Sequence, residues 1–255
     1  MHNSISIKTH QLCKYFGPIQ AVQNLNLEVR KGSRFGFLGP NGAGKTTTVR
    51  ILSGLMKQSS GSATVCGLSL KAKRNEIKAI TGLLPETPGL YSKLSAVEFL
   101  EFIGALNGYN GSKLQHRIDS LLGLLGLESR QDDLLESYSS GMKQKVLIAS
   151  TLLHDPKLVF LDEPTSRLDP SASAVVKELI EILAKETATT FFICTHQTSF
   201  AEDVCDQLGI IIQGKLVISG TLEQVTNATK SKNLEDAYLR IVGNKIERDK
   251  LLNWR

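Results

Sequence analysis

The run Gly39-Pro40-Asn41-Gly42-Ala43-Gly44-Lys45-Thr46 fills every specified place of the pattern G-x-x-x-x-G-K-[ST]. A strand-like stretch, Ser33 to Leu38, leads into it, and a helix-like stretch, Thr47 to Leu55, leads out. In that setting the glycines let the backbone turn its N–H groups inward, and a helix starting near Lys45 aims its positive dipole end at the same point. Such a nest holds a polyphosphate. Lys45 supplies a point charge for the β- and γ-phosphates, the Thr46 hydroxyl can complete the coordination of a Mg²⁺ that keeps some of its waters, and Thr47 belongs to the same set of nucleotide contacts.

A second run, Leu158-Val159-Phe160-Leu161-Asp162-Glu163-Pro164, is apolar and ends in two carboxylates. It reads as a buried parallel strand that delivers both acids to the carboxyl edge of a sheet, where open α/β sheets bind their ligands. Asp162 is then the metal partner, acting on Mg²⁺ through water, and Glu163 can polarise an attacking water as general base. Together the two runs point to hydrolysis of a nucleoside triphosphate.

Between them lies a long interval containing Tyr138-Ser139-Ser140-Gly141-Met142-Lys143-Gln144. With this run the chain resembles the ATP-binding cassette (ABC) ATPases, in the Y-S-x-G-M-K-Q form typical of ATPases that serve drug, antibiotic, sodium and polysaccharide exporters. Ser166-Arg167-Leu168-Asp169 is similar to the family's D-loop, and His196, after Thr190 to Thr195, to its switch histidine. Phe16 stands where the family has its adenine-stacking aromatic, the alternative being an ordinary strand aromatic packed in the core. Glu86 stands at the Q-loop position. The similarity covers residues 5 to 225 in the family's order, and it implies that Ser139 and Gly141 meet the γ-phosphate of ATP across a dimer.

Four residues, at three motifs, depart from the commonest family pattern. The signature has Ser140 for glycine and Met142 for glutamine, and Arg167 replaces the D-loop glycine. Glu86 replaces the Q-loop glutamine. If it reaches Mg²⁺ it contributes a full charge in place of an amide dipole; in the turn Leu84-Pro85-Glu86-Thr87-Pro88 it can also simply face solvent.

Composition fits a globular enzyme: 255 residues, 41% hydrophobic and 22% charged, is neither disordered nor membrane-embedded. Apolar stretches such as Leu208 to Ile212 fall short of the ~20 residues of a membrane span, and the start Met1-His2-Asn3-Ser4 leads into no leader-like segment. Cys13, Cys66, Cys194 and Cys205 contain no C-x-x-C pair and read as reduced thiols. The net charge of +5 is dispersed, with Lys71, Lys73, Arg74 and Lys78 on a solvated face, so no nucleic-acid partner is expected. His2, His10, His116 and His154 match no pattern.

The elements expected around these motifs follow from periodicity and turn residues. Residues 5 to 36 alternate as short strands around Gly17-Pro18 and Arg30-Lys31-Gly32. Residues 88–155 carry Leu stripes at helical spacing, with Ser139 capping a helix that begins near Gly141. Later come a helix over Pro170 to Glu186, a strand over Thr190 to Thr195, a helix over Ser199 to Cys205, a hairpin turning at Gln213-Gly214, and a short amphipathic helix over Leu234 to Val242. This order predicts an α/β fold: a P-loop NTPase core on a mainly parallel sheet, with an antiparallel β subdomain and an inserted helical subdomain. The whole, residues 1–255, is expected to be a single ABC ATPase domain: a core from 5–87 and 156–225, a helical subdomain from 88–155, and a tail from 226–255.

One P-loop and one signature imply, on the family's pattern, a dimer with ATP sandwiched between subunits. The resemblance implies an ATP- and Mg²⁺-dependent ATPase subunit of an exporter. Its partners would be an integral membrane permease and a second ATPase subunit, alike or related, and it would lie in the cytoplasm on the inner face of the membrane through the permease. The alternative is a soluble ABC ATPase acting on nucleic acid, the ribosome or an assembly scaffold.

Overall fold

The computed structural model describes residues 4–166 and 168–243. Its first hairpin is made of two long strands, β1 (Ile5–Phe16) and β2 (Ile19–Arg30), in place of the several short ones expected. Strict alternation fails at Leu12 and Cys13, neighbours that are both buried. The register between the strands shifts there, and Gln11 and Asn24 both take φ 46°, so a bulge absorbs the break without ending either strand. Strands β4 (Ser60–Val65) and β5 (Leu68–Ser69) extend this sheet in the order β2-β1-β4-β5, antiparallel throughout.

The second sheet has six strands: β3 (Arg34–Leu38), β6 (Thr81–Leu84), β7 (Leu158–Asp162), β8 (Thr190–Thr195), β9 (Gln207–Ile212) and β10 (Lys215–Gly220). Their order is β10-β9-β3-β8-β7-β6, every pair parallel except β10 with β9. Strands β7 and β8 are buried at every position, as the near-continuous apolar runs of a sheet covered on both faces require. The mainly parallel sheet and its antiparallel companion are those the element order predicts.

Nine α-helices are described: α1 (Lys45–Leu52), α2 (Arg74–Ala79), α3 (Ala96–Leu106), α4 (Gly111–Leu124), α5 (Ser140–Leu152), α6 (Pro170–Thr187), α7 (Thr198–Val204), α8 (Leu222–Thr229) and α9 (Leu234–Val242). Helix α1 stops short of Leu55 because Ser53 ends it and Gly54 follows at φ 78°. Helix α8 was not foreseen, though Thr221 and Gln224 form a reciprocal capping box at its start. The face of α9 that carries Leu234, Ala237, Tyr238 and Ile241 packs against the core, as its period predicts. Among the described residues no helix is long and apolar enough to cross a membrane.

Two large cores hold the elements in place. One joins α3, α4 and α5 to the parallel sheet through Phe99, Ile118, Val146, Ile148 and Val159. The other lies between the two sheets, where Phe35, Phe37, Phe160 and Phe192 cluster with ring centroids 5.2–6.4 Å apart. Each buried phenyl contributes about 1.5–3 kcal/mol, so this cluster anchors β3, β7 and β8 side by side. Those three strands deliver the chemistry.

Candidate active site

Because β3, β7 and β8 run parallel and in register, Leu38 sits opposite Thr195, and Asp162 opposite Cys194. The residues that follow each strand therefore emerge together at one edge: Gly39 and its loop, Glu163, and His196. The loop is shaped by close backbone approaches. A Cβ on Gly39 would collide with the Ile211 carbonyl, and one on Gly44, where φ is 106°, with the Ala21 carbonyl. Ala43 N–H donates to Pro40 O (3.1 Å) and Gly214 N–H to Ala43 O (2.9 Å), pinning the loop to the β9–β10 turn. Gly44 caps α1 without a side chain, so the first amides of the helix keep their hydrogens for a ligand.

These parts enclose a cavity of about 360 Å³ lined by Asn41, Gly42, Ala43, Gly44, Lys45, Thr46 and Thr47 of the loop, with Ala21, Glu86, Asp162 and Glu163 opposite. Gly39 and Pro40 are not among the lining residues. The Lys45 ammonium, 6% exposed, donates to Gly39 O at 2.6 Å and lies 3.3 Å from Pro40 O and 3.9 Å from Glu163 Oε1. It is thus held in the cavity by groups that a phosphate can displace.

The acids are anchored differently. Asp162 ends β7 at 2% exposure, and its Oδ1 is buried without a hydrogen-bond partner. Burial pushes its carboxyl above the ordinary carboxylate range; the Thr46 hydroxyl opposes this, the charges of Glu86 and Glu163 add to it, and Lys45 counters. A buried carboxylate oxygen with no donor beside a threonine hydroxyl is a fitting seat for a hard cation. Glu163 sits at φ 54°, a strained backbone for a side chain with a Cβ. Three contacts hold it there: its N–H donates to Cys194 O (2.8 Å), Oε2 accepts from the Thr195 hydroxyl (3.3 Å), and Oε1 lies 2.9 Å from His196 Nδ1. That last contact requires the proton on Nδ1 and leaves Nε2, on a half-exposed ring, facing away from the acid. Thr195 is the neighbour of Glu163 that sequence reasoning missed; its only signal is its place one residue before His196.

Two groups of predicted residues stay outside this cavity. Phe16, at the end of β1, is 44% exposed, with Lys14 Nζ 5.0 Å from its ring centroid. An exposed aromatic is free to stack on a base, and the alternative of a ring packed in the core does not hold. Ser139 is exposed at the start of α5, where its Oγ accepts only from Met142 N–H (3.3 Å). Gly141 is buried against α6: a Cβ there would lie 3.2 Å from Ala172 Cβ. Glu86 is exposed in the turn after β6 yet lines the cavity and acts on Asp162. Arg167 lies outside the described residues.

What these elements assemble at one sheet edge is a polyphosphate cradle with a buried acid pair, the hallmark of the P-loop nucleotide-binding class. The ABC transporter family model matches residues 22–166. The bacitracin transport ATP-binding protein of Bacillus licheniformis is 42% identical over 214 residues, 84% of this chain and 69% of that protein. The linearmycin resistance ATP-binding protein of Bacillus subtilis is 35% identical, with 84% and 69% covered. A solved ATP-binding subunit of an ABC transporter has a TM-score of 0.83 at 28% identity, covering 92% of this chain and 98% of that one. The chain belongs to the ABC transporter family of ATP-binding proteins. Membership carries ATP binding and implies ATP hydrolysis, a membrane partner and dimerisation.

Proposed function

We propose that this chain is the ATP-hydrolysing subunit of a multi-subunit ABC exporter, in which closure of two ATPase subunits on ATP drives a separate integral membrane permease. The observation that carries the reading is the Glu163 carboxylate, buried beside the phosphate loop and fixed by Thr195 and His196. The β- and γ-phosphates lie against the loop N–H groups of Gly42 to Thr46, and Lys45 exchanges its carbonyl partners for phosphate oxygens. Phe16 stacks on the adenine. Water attacks the γ-phosphorus as the bond to the ADP oxygen breaks, and Glu163 accepts the water's proton. His196 orients that carboxylate and turns Nε2 towards the γ-phosphate. Thr46, Asp162 and, from the turn, Glu86 would hold Mg²⁺, which when bound neutralises phosphate charge.

Ser139 and Gly141 act on the nucleotide of the second subunit, a copy of this chain or a relative. Within residues 1–255 the segment 88–155 forms the helical subdomain that docks the permease at the inner face of the membrane; 5–87 with 156–225 forms the ATP-binding core, and the residues from 226 onward the tail. Relatives named for bacitracin transport, linearmycin resistance and Nod factor export support the export class over a soluble role on nucleic acid or the ribosome.

Glu163→Gln keeps the shape and removes the base. In the complex reconstituted with its permease, turnover is expected to fall about 100-fold or more while ATP binding persists and the ATP-bound dimer accumulates on sizing. Turnover within a factor of about two of the parent would remove Glu163 from the mechanism.

A further inference from the structure

At the other end of the parallel strands, where Ile80 leads into β6 and Lys157 into β7, lies a second cavity of about 650 Å³. Its apolar wall is Ala79, Ile80 and Tyr109. The tyrosine is fixed: its hydroxyl donates to His154 O (3.3 Å), and the Arg117 guanidinium sits 5.9 Å from its ring centroid.

The remaining lining is basic. Lys113, His116, Arg117 and Lys157 all face the cavity, against one carboxylate, Asp155. That acid is engaged by Arg117 at 3.5 Å, and Arg117 also donates to Leu153 O at 2.6 Å. Among the described residues the ammonium groups of Lys113 and Lys157 make no ion pair, so their charge is uncompensated. Helix α4 opens at the same place. Its first-turn residues Ser112 and Lys113 line the cavity, and Asn110 supplies no side-chain cap, so the helix's positive end adds to the basic field.

A third observation is independent of charge. His154, 9% exposed in the cavity wall, has Nε2 3.1 Å from Thr81 O, an acceptor that requires the proton on Nε2. Its Nδ1 is then a bare acceptor, and it is buried without a partner. Unpaired buried acceptors are rare, and this one is closed off from the cavity, so the wall is apolar there.

We propose that this cavity binds a small amphipathic anion: an apolar or aromatic body carrying one sulfonate, phosphate or carboxylate. The body lies on Ala79, Ile80 and Tyr109, and the head meets Lys113, Lys157 and the α4 amides. Such an occupant bridges α4 to the sheet and to the far end of α5, well away from the phosphate loop.

The probe is 1-anilinonaphthalene-8-sulfonate, titrated by fluorescence onto the intact chain with its nucleotide site saturated by ATP, beside the neutral N-phenyl-1-naphthylamine. The anion is expected to saturate at one site per chain and to bind about tenfold tighter than the neutral analogue. Lys113→Ser with Lys157→Ser is expected to erase that preference, and Lys113→Arg with Lys157→Arg to keep it, ATP affinity being unchanged in both as the check on folding. Equal binding of the neutral analogue, or an undiminished preference in the serine pair, overturns the proposal and assigns the emission to exposed apolar surface such as Tyr91, Phe102 and Leu106.

Discussion

Two helices of this chain begin at the motifs proposed to meet phosphate, and they begin in opposite ways. Helix α1 starts from Gly44, which has no side chain to offer, and its first residue is the buried Lys45. Helix α5 starts from Ser139, whose hydroxyl oxygen already accepts from Met142 N–H, and it stands exposed. The first terminus is left open inside a cavity whose other wall, Asp162 and Glu163, belongs to the same chain. The second is satisfied within its own helix and lines no part of that cavity. One chain therefore carries a complete cradle and, apart from it, an unused serine. This contrast supports a site finished only when a second subunit brings its Ser139 to the first subunit's nucleotide.

Three substitutions probe that contrast. Lys45→Ala strikes the open terminus, and the affinity of the single chain for ATP is expected to fall about 100-fold, with the thermal transition intact. Fluorescent-nucleotide titration measures it, and retention of parent affinity would mean that the loop amides alone hold the phosphates. Ser139→Ala strikes the closed terminus. It removes a cap worth about 1 kcal/mol of stability and should leave single-chain ATP binding unchanged. ATPase activity of the assembled complex should drop about tenfold. If single-chain binding weakened as much as activity, the two termini would not differ in the way described. The smallest effect is expected from Glu86→Gln. Removing one charge beside Asp162 should raise the Mg²⁺ concentration for half-maximal ATPase activity severalfold. Should the Mg²⁺ dependence stay put while stimulation by the permease falls, Glu86 serves coupling alone; no change in either makes it an exposed turn residue.

The open terminus was far more legible in sequence than the rest. A phosphate loop needs glycines and a lysine at fixed spacing in one stretch, and the buried strand before Asp162 and Glu163 announces itself as an apolar run, so both could be located without a structure. His196 followed from the family resemblance and its place after a strand; that it grips Glu163 through Nδ1, helped by Thr195, could not, because the partners come from different strands. The long β1–β2 hairpin was hidden because bulges at Gln11 and Asn24 break the alternation that marks a strand. The basic cavity was hidden more thoroughly. Lys113, Arg117, His154 and Lys157 are scattered through segments read as Leu-rich helices or loops, and only the fold brings them to one place. His116 and His154, which match no motif, both line it.

Helix α5 has a mechanical meaning beyond its chemistry. From Ser140 to Leu152 it is a rod about 20 Å long, with Ser139 at one tip and, at the other, the Leu153 carbonyl held by Arg117. It is also packed against α6 at Gly141 and onto the sheet at Val146 and Ile148, so it tilts only together with them. A tilt of about 3° at the Arg117 end swings the Ser139 hydroxyl by about 1 Å over that length, a large fraction of the tolerance of a hydrogen bond to phosphate. The pivot lies where the helical segment meets the amino ends of the strands. On the proposed mechanism, whatever stiffens or loosens that joint sets how well Ser139 aims, without touching the nucleotide.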